Sequence, residues 1–141
     1  MISVKSNTDL EKLRAAGRIA GRALKLAGES VRAGMTTKEL DKIVHDYIVS
    51  CGATPSFLGY GGFKGSACIS INNEVIHGIP SSKRKIADGD IVSVDVGAYY
   101  NGFHGDTCAT FAVGHISDEA KKLLEVTEAS LYAGIDAAVV G

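Results

Sequence analysis

The chain has 141 residues, 45% of them hydrophobic, and a formal net charge of -1. That balance suits one soluble domain with a real core and argues against a polyanion-binding surface, the short run Lys83-Arg84-Lys85 reading as a solvated loop. No stretch is long and apolar enough to span a bilayer, and the opening MISVKSNTDLEKLRAAG has no apolar leader segment, so neither a membrane span nor a secretory signal is expected.

Helices come first. Thr8 with Glu11 predicts a capping box for a helix over 8-33, in which Leu10, Leu13, Ile19, Ala20, Ala23, Leu24 and Ala27 recur at helical spacing ahead of Gly34. Thr36 with Glu39 predicts a second box and a helix over 36-51 carrying Leu40, Ile43, Val44, Tyr47 and Ile48, with Gly52 as its stop. From Pro55 the period changes. Phe57 to Phe63, Ala67 to Ile71, Val75-Ile76, Ile91 to Tyr99 and Phe103 to Val113 read as strands of a mostly antiparallel sheet over 55-113. Ser117 then caps a helix over 117-140 with Asp118 and Glu119 in its first turn and Leu123, Leu124, Val126 and Leu131 on its apolar side. The chain is thus expected to be α+β, with two helices packed on the sheet and no internal repeat, linker or low-complexity tract within 1-141.

Three cysteines, Cys51, Cys68 and Cys108, are odd in number and lack a C-x-x-C spacing, which points to reduced thiols in a cytoplasmic protein. The glycines of Gly59-Tyr60-Gly61-Gly62 lack the Gly-Lys-Ser/Thr of a phosphate loop and read instead as sites of close backbone approach.

The most informative stretch is IVSVDVGAYYNGFHGDTCATF. Asn101-Gly102 is the strongest short-range hairpin signal, and a two-residue loop there pairs Tyr100 with Phe103 and Gly97 with Asp106. Asp95 then lies diagonal to Asp106 on one face, at roughly 7–8 Å between Cα atoms. Two carboxylates so placed can share a metal cluster; the alternative is a pair of solvated strand acids, although Asp is depleted in strands and rarely buried without a partner. His77 follows an apolar pair, where a structural histidine is the commoner finding, yet the turn residues Gly78 and Pro80 could fix its imidazole for a hydrogen bond or proton transfer. His45 falls on the polar side of a predicted helix, and His104 falls on the Asp face as a supporting residue.

The run from Pro55 to Val113, above all Tyr60, Gly62-Phe63, Ser66-Ala67-Cys68-Ile69-Ser70, Asn73 to Pro80, Asp88 to Val92, Val94-Asp95-Val96 and Gly102 to Thr107, resembles the type I methionine aminopeptidases, and in weaker form the likeness extends over the first two helices. The resemblance implies a pita-bread fold, of which this chain is the N-terminal αβ half plus the first helix of the second half. It implies removal of N-terminal methionine from nascent polypeptides by two divalent ions (Co, Mn, Fe or Zn), with Asp95 ligating one ion and Asp106 bridging both. His77 matches a position that contacts substrate and assists at the scissile amide, and Tyr60, Phe63 and Cys68 match the walls of the methionine pocket. Phe57 departs from the pattern, standing where some relatives have a smaller residue.

The family's remaining ligands, a histidine and two glutamates, come from its second half. After Asp106 this chain has only Asp118, Glu119, Glu125, Glu128 and Asp136, with His115 in a loop, and none matches a family ligand. The expectation is therefore a partial site, inactive by itself, in a chain whose partners are nascent N-termini and the C-terminal half, with no membrane and no nucleic acid except through the ribosome. A Xaa-Pro dipeptidase of the same fold, a non-catalytic binding module and a self-complementing half-protein are the competing readings.

Overall fold

A computed structural model describes residues 4–141; the first three residues of the N-terminal stretch read above for a leader lie outside them. The first helix, α1, runs Asn7–Ser30. Its cap is Ser6 and not Thr8: the Ser6 hydroxyl accepts the Asp9 N–H at 3.2 Å while the Asp9 carboxylate accepts the Ser6 N–H at 3.0 Å. Both spacings satisfy the capping-box pattern, but the earlier one closes, which leaves Glu11 free to pair with Arg14 at 2.6 Å. The hydrogen bonds from Ser6 hold the Asp9 carboxyl below its ordinary range. At the other end Val31 turns extended, three residues short of Gly34.

Helix α2, Thr37–Ser50, opens on the Thr36/Glu39 box and ends at Cys51, after which Gly52 takes a left-handed φ of 70°. Leu40, Val44 and Ile48, one turn apart, are fully buried. The sheet consists of β1 (Thr54–Pro55), β2 (Ala67–Ile71), β3 (Ile91–Tyr100) and β4 (Phe103–Ala112), all paired antiparallel. The long central strand β3 takes β4 along one edge and β2 and β1 along the other.

The period of two divides the sheet into unlike faces. Val92, Val94, Val96 and Ala98 of β3, with Ala67 and Ile69 of β2, turn toward α1 and α2 and are buried with Ala20, Ala23, Leu24 and Ala27. The helix lies very close to the sheet there, since a Cβ on Gly105 would sit 2.4 Å from the carbonyl of Ala16. The other face carries Cys68, Ser70, Asp95, Gly97, His104, Asp106 and Cys108 and, among the described residues, has no helix packed over it.

Two segments read as strands are not strands. Tyr60–Gly62 forms a single 3-10 turn between positive-φ glycines, and Val75 and Ile76 lie 86% and 67% exposed in a loop. Neither has a neighbouring strand with which to form a ladder, and apolar content alone does not supply one. The last helix, α3, is Asp118–Ala137 with Ser117 as its cap; none of its residues is buried, so Leu123, Val126 and Leu131 face outward. Among the described residues no helix is long and apolar enough to cross a membrane.

Candidate metal centre

The hairpin register is Tyr100 opposite Phe103 and Gly97 opposite Asp106, and Asp95 lies opposite Cys108 on β4 and Cys68 on β2. Asp95 therefore has a thiol on either side and the Asp106 carboxylate on the diagonal. A cleft of about 520 Å³ opens over this row, with Phe57, Tyr60, Phe63, His77 and Ile79 around Cys68, Asp95 and Asp106. All of these stand in the sequence motifs, Ile79 only as part of the Asn73-to-Pro80 run and without a role; Cys108 has no expected part beside Asp95, although the period of two from Asp106 places it on the same face.

The electrostatics of the cleft are unbalanced. Burial, then the neighbouring Asp106 carboxylate, pushes the Asp95 carboxyl above its ordinary range, and the nearby His77 opposes the rise. Asp95 Oδ1 is buried and has no hydrogen-bond partner among the described residues. An acceptor-only group left so is costly unless a cation meets it. Burial also pushes the Cys68 thiol up to about 11, with Asp95 and Asp106 adding to the effect, and burial raises Cys108 as well. Both thiols stay protonated near neutral pH and form neutral flanks to the carboxylates.

His77 reaches the cleft from a loop anchored to β2. It adopts a left-handed φ of 60°, uncommon for a residue with a side chain. The next residue fixes it: the Gly78 N–H donates to Ser70 Oγ at 3.0 Å, Gly78 O accepts from the Ile69 N–H at 2.8 Å, and a Cβ on Gly78 would fall 2.1 Å from the Ile69 carbonyl. Glu74 accepts the Ile71 N–H at 2.9 Å and pairs with Arg84, so one member of the basic run belongs to this loop's scaffold.

The remaining histidines lie outside the cleft. His104 is on the Asp face, with its Nδ1 2.8 Å from Ser56 Oγ and its ring 4.7 Å from that of Tyr99. His45 is half-buried, not solvated, with Nδ1 2.8 Å from Ser66 Oγ at a larger cleft of about 650 Å³ beside α2. The acids of that cleft are already used: Glu39 accepts the Thr36 N–H at 2.7 Å, Asp41 pairs with Lys38 at 2.8 Å, and Asp46 pairs with Lys42 at 2.6 Å. Asp41 was not foreseen from sequence. It is 2% exposed and accepts the N–H groups of Ser66 and Ala67 at 2.6 and 3.0 Å, joining α2 to the start of β2.

Residues 11–141 match metallopeptidase family M24. The chain belongs to that family. It is 50% identical over its full length to a methionine aminopeptidase of Clostridium acetobutylicum, and it spans 56% of that protein. The solved methionine aminopeptidase of Thermotoga maritima superposes on all of it with a TM-score of 0.96 at 36% identity, 57% of that chain being covered. A Xaa-Pro dipeptidase from Bacillus anthracis follows it less closely, with a TM-score of 0.72 at 28% identity over 84% of this chain and 32% of its own. The chain thus spans a little over half the length of the methionine aminopeptidases it matches, and its α+β unit is the N-terminal portion of the pita-bread fold.

Membership of a metallopeptidase family implies divalent metal, and the cleft fits one: an orphaned buried carboxylate oxygen beside a second carboxylate is the donor chemistry such ions take. Among the described residues no cluster of three or more His, Cys, Asp or Glu side chains could hold an ion.

Proposed function

We propose that this M24 chain supplies the two-aspartate side of a metallohydrolase site that removes the N-terminal methionine from nascent polypeptides in the cytoplasm. The observation that carries the reading is the unpartnered Asp95 Oδ1, set beside Asp106 in the cleft that His77 overlooks. Asp95 and Asp106 would hold divalent ions, two in the complete site and drawn from Co, Mn, Fe or Zn. When bound, such ions polarise a carbonyl and acidify a water enough for attack near neutral pH.

The chain's own residues supply position and enclosure. The imidazole of His77, fixed by the Gly78 anchor, offers a hydrogen bond to the scissile amide. Tyr60, Phe63 and the protonated Cys68 give the methionine thioether an apolar, polarizable wall, and Phe57 narrows the space above Gly97. Two carboxylates do not complete a catalytic ligand set, so these 141 residues by themselves are inactive, and activity requires further ligands from a polypeptide corresponding to the relatives' C-terminal portion.

The test is to assay Met-Ala-Ser and Ala-Pro peptides with the purified chain plus Mn²⁺ or Co²⁺, alone and with the C-terminal portion of a relative. Methionine release only in the mixture, lost in Asp106→Ala, is expected. Release by the chain alone, likewise lost in Asp106→Ala, would refute its inactivity, and cleavage of Ala-Pro alone would refute the methionine specificity.

A further inference from the structure

On the helix-covered side of the molecule, away from the carboxylates, a separate cleft of about 330 Å³ lies between α1, α2 and the end of β3. Arg18 and Arg22 of α1 stand at its rim, and the half-buried rings of Tyr47 and Tyr100 line it with Ala15 and Ile19.

The pairing of charges around it is selective. Arg14 is joined to Glu11 at 2.6 Å and Lys25 to Glu29 at 3.8 Å on the same helix, and Lys42 to Asp46 at 2.6 Å on the facing one. Between these, Arg18 and Arg22 have no carboxylate partner among the described residues. One helical turn separates them, which places both on the face of α1 that lines the cleft, with Arg22 within hydrogen-bond reach of the Tyr47 hydroxyl. Two planar forks of donors suit a tetrahedral phosphate, and phenol rings lining the same cleft suit a flat apolar body. The volume falls at the small end of ligand sites, enough for a mononucleotide-sized molecule.

We propose that this cleft binds a phosphate monoester carried on an aromatic or heteroaromatic body, with Arg18 and Arg22 on the phosphate and Tyr47 and Tyr100 against the ring. The reading is independent of the aspartate cleft.

Isothermal titration of the 141-residue chain at low salt uses AMP, with inorganic phosphate and adenosine as separate arms. One saturable AMP site is expected, at least about tenfold tighter than inorganic phosphate and undetectable with adenosine; the Arg18→Ala/Arg22→Ala double variant weakens AMP by at least about tenfold, and Arg14→Ala leaves it unchanged. A variant with Arg18→Lys and Arg22→Lys keeps the charge, loses the fork and falls between. The proposal is overturned if AMP fails to saturate, if phosphate binds as tightly as AMP, or if the double alanine variant, with native circular dichroism, binds AMP as the parent does.

Discussion

Replacing Asp95 with Asn should stabilise the metal-free chain. The wild-type carboxylate is partly buried, leaves Oδ1 without a partner and faces the charge of Asp106. The two carboxyl groups lie within hydrogen-bond reach of each other, and at about 4 Å two unit charges repel by about 1 kcal/mol in water and about 4 kcal/mol at the effective dielectric of a protein surface. The cleft is open, so solvent screening keeps the figure near the lower end, about 1 kcal/mol. Asn removes the charge, preserves the shape and can donate to Asp106 from its amide. For a chain of this size the gain corresponds to a rise in Tm of about 3 °C.

The pH dependence follows from the direction of the shift. A carboxyl whose folded pKa is raised favours the fold when protonated, so Asp95 contributes stability that is present below its unfolded pKa and lost as pH rises through its higher folded value. The advantage of the Asn variant is therefore greatest at neutral pH and closes as pH falls through the raised Asp95 pKa. Thermal melts of both proteins between about pH 4 and pH 8 with chelator would measure it, and millimolar Mn²⁺ should raise only the wild-type Tm, by mass action on the native state. An Asp95→Asn variant that melts below wild type at neutral pH would refute the reasoning, since it would mean that the lone carboxylate is already satisfied.

Three further expectations concern the scaffold. Asp41→Ala leaves the N–H groups of Ser66 and Ala67 without their acceptor in a buried place and should cost about 2–4 kcal/mol in urea unfolding; a loss under about 0.5 kcal/mol would mean that water replaces it. Gly105→Ala sets a methyl against the Ala16 backbone and should cost about 1–3 kcal/mol by the same measurement, an unchanged midpoint showing that α1 can shift freely. With its pKa pushed up to about 11, the Cys68 thiol should alkylate with iodoacetamide at about pH 8 roughly a hundredfold more slowly than an ordinary thiol, read by mass spectrometry, and comparable labelling would contradict its burial beside Asp95.

The sheet and its register were legible because they rest on local rules. Asn101-Gly102 dictates a two-residue turn, and once Tyr100 pairs with Phe103 the alternation of side chains assigns Asp95 and Asp106 to one face without further information. The Thr36 cap was legible for the same reason. At Ser6 and Thr8 two equivalent local patterns compete, and sequence spacing cannot rank them. Val75 and Ile76 misled because an apolar pair says nothing of whether a partner strand lies alongside; in the fold the anchor formed by Gly78 and Ser70 occupies the edge of β2 that such a strand would need. Asp41 was invisible because its partners, the N–H groups at the start of β2, are brought to it only by tertiary packing.

The face of the sheet that carries the chemistry differs from the face that carries the stability in one physical respect. Toward the helices every apolar position of β3 is met by another apolar side chain, and the buried Asp41 has three donors. Toward the cleft, a partly buried carboxylate has no donor on one oxygen and a like charge on its diagonal, and His77 is kept in a left-handed conformation by the backbone of β2. Left-handed backbone at a non-glycine residue occurs elsewhere among the described residues only at Asn72 and Asn101, a residue type that tolerates it, whereas here a strained histidine and an unpartnered carboxylate converge within one cleft. Their cost is recovered if a cation binds between the carboxylates, since the ion supplies the missing partner to Asp95 Oδ1 and turns the repulsion from Asp106 into a second ligand. Under the proposed function, the instability of the empty pair would be the source of its affinity for metal, and metal binding and folding stability would rise together.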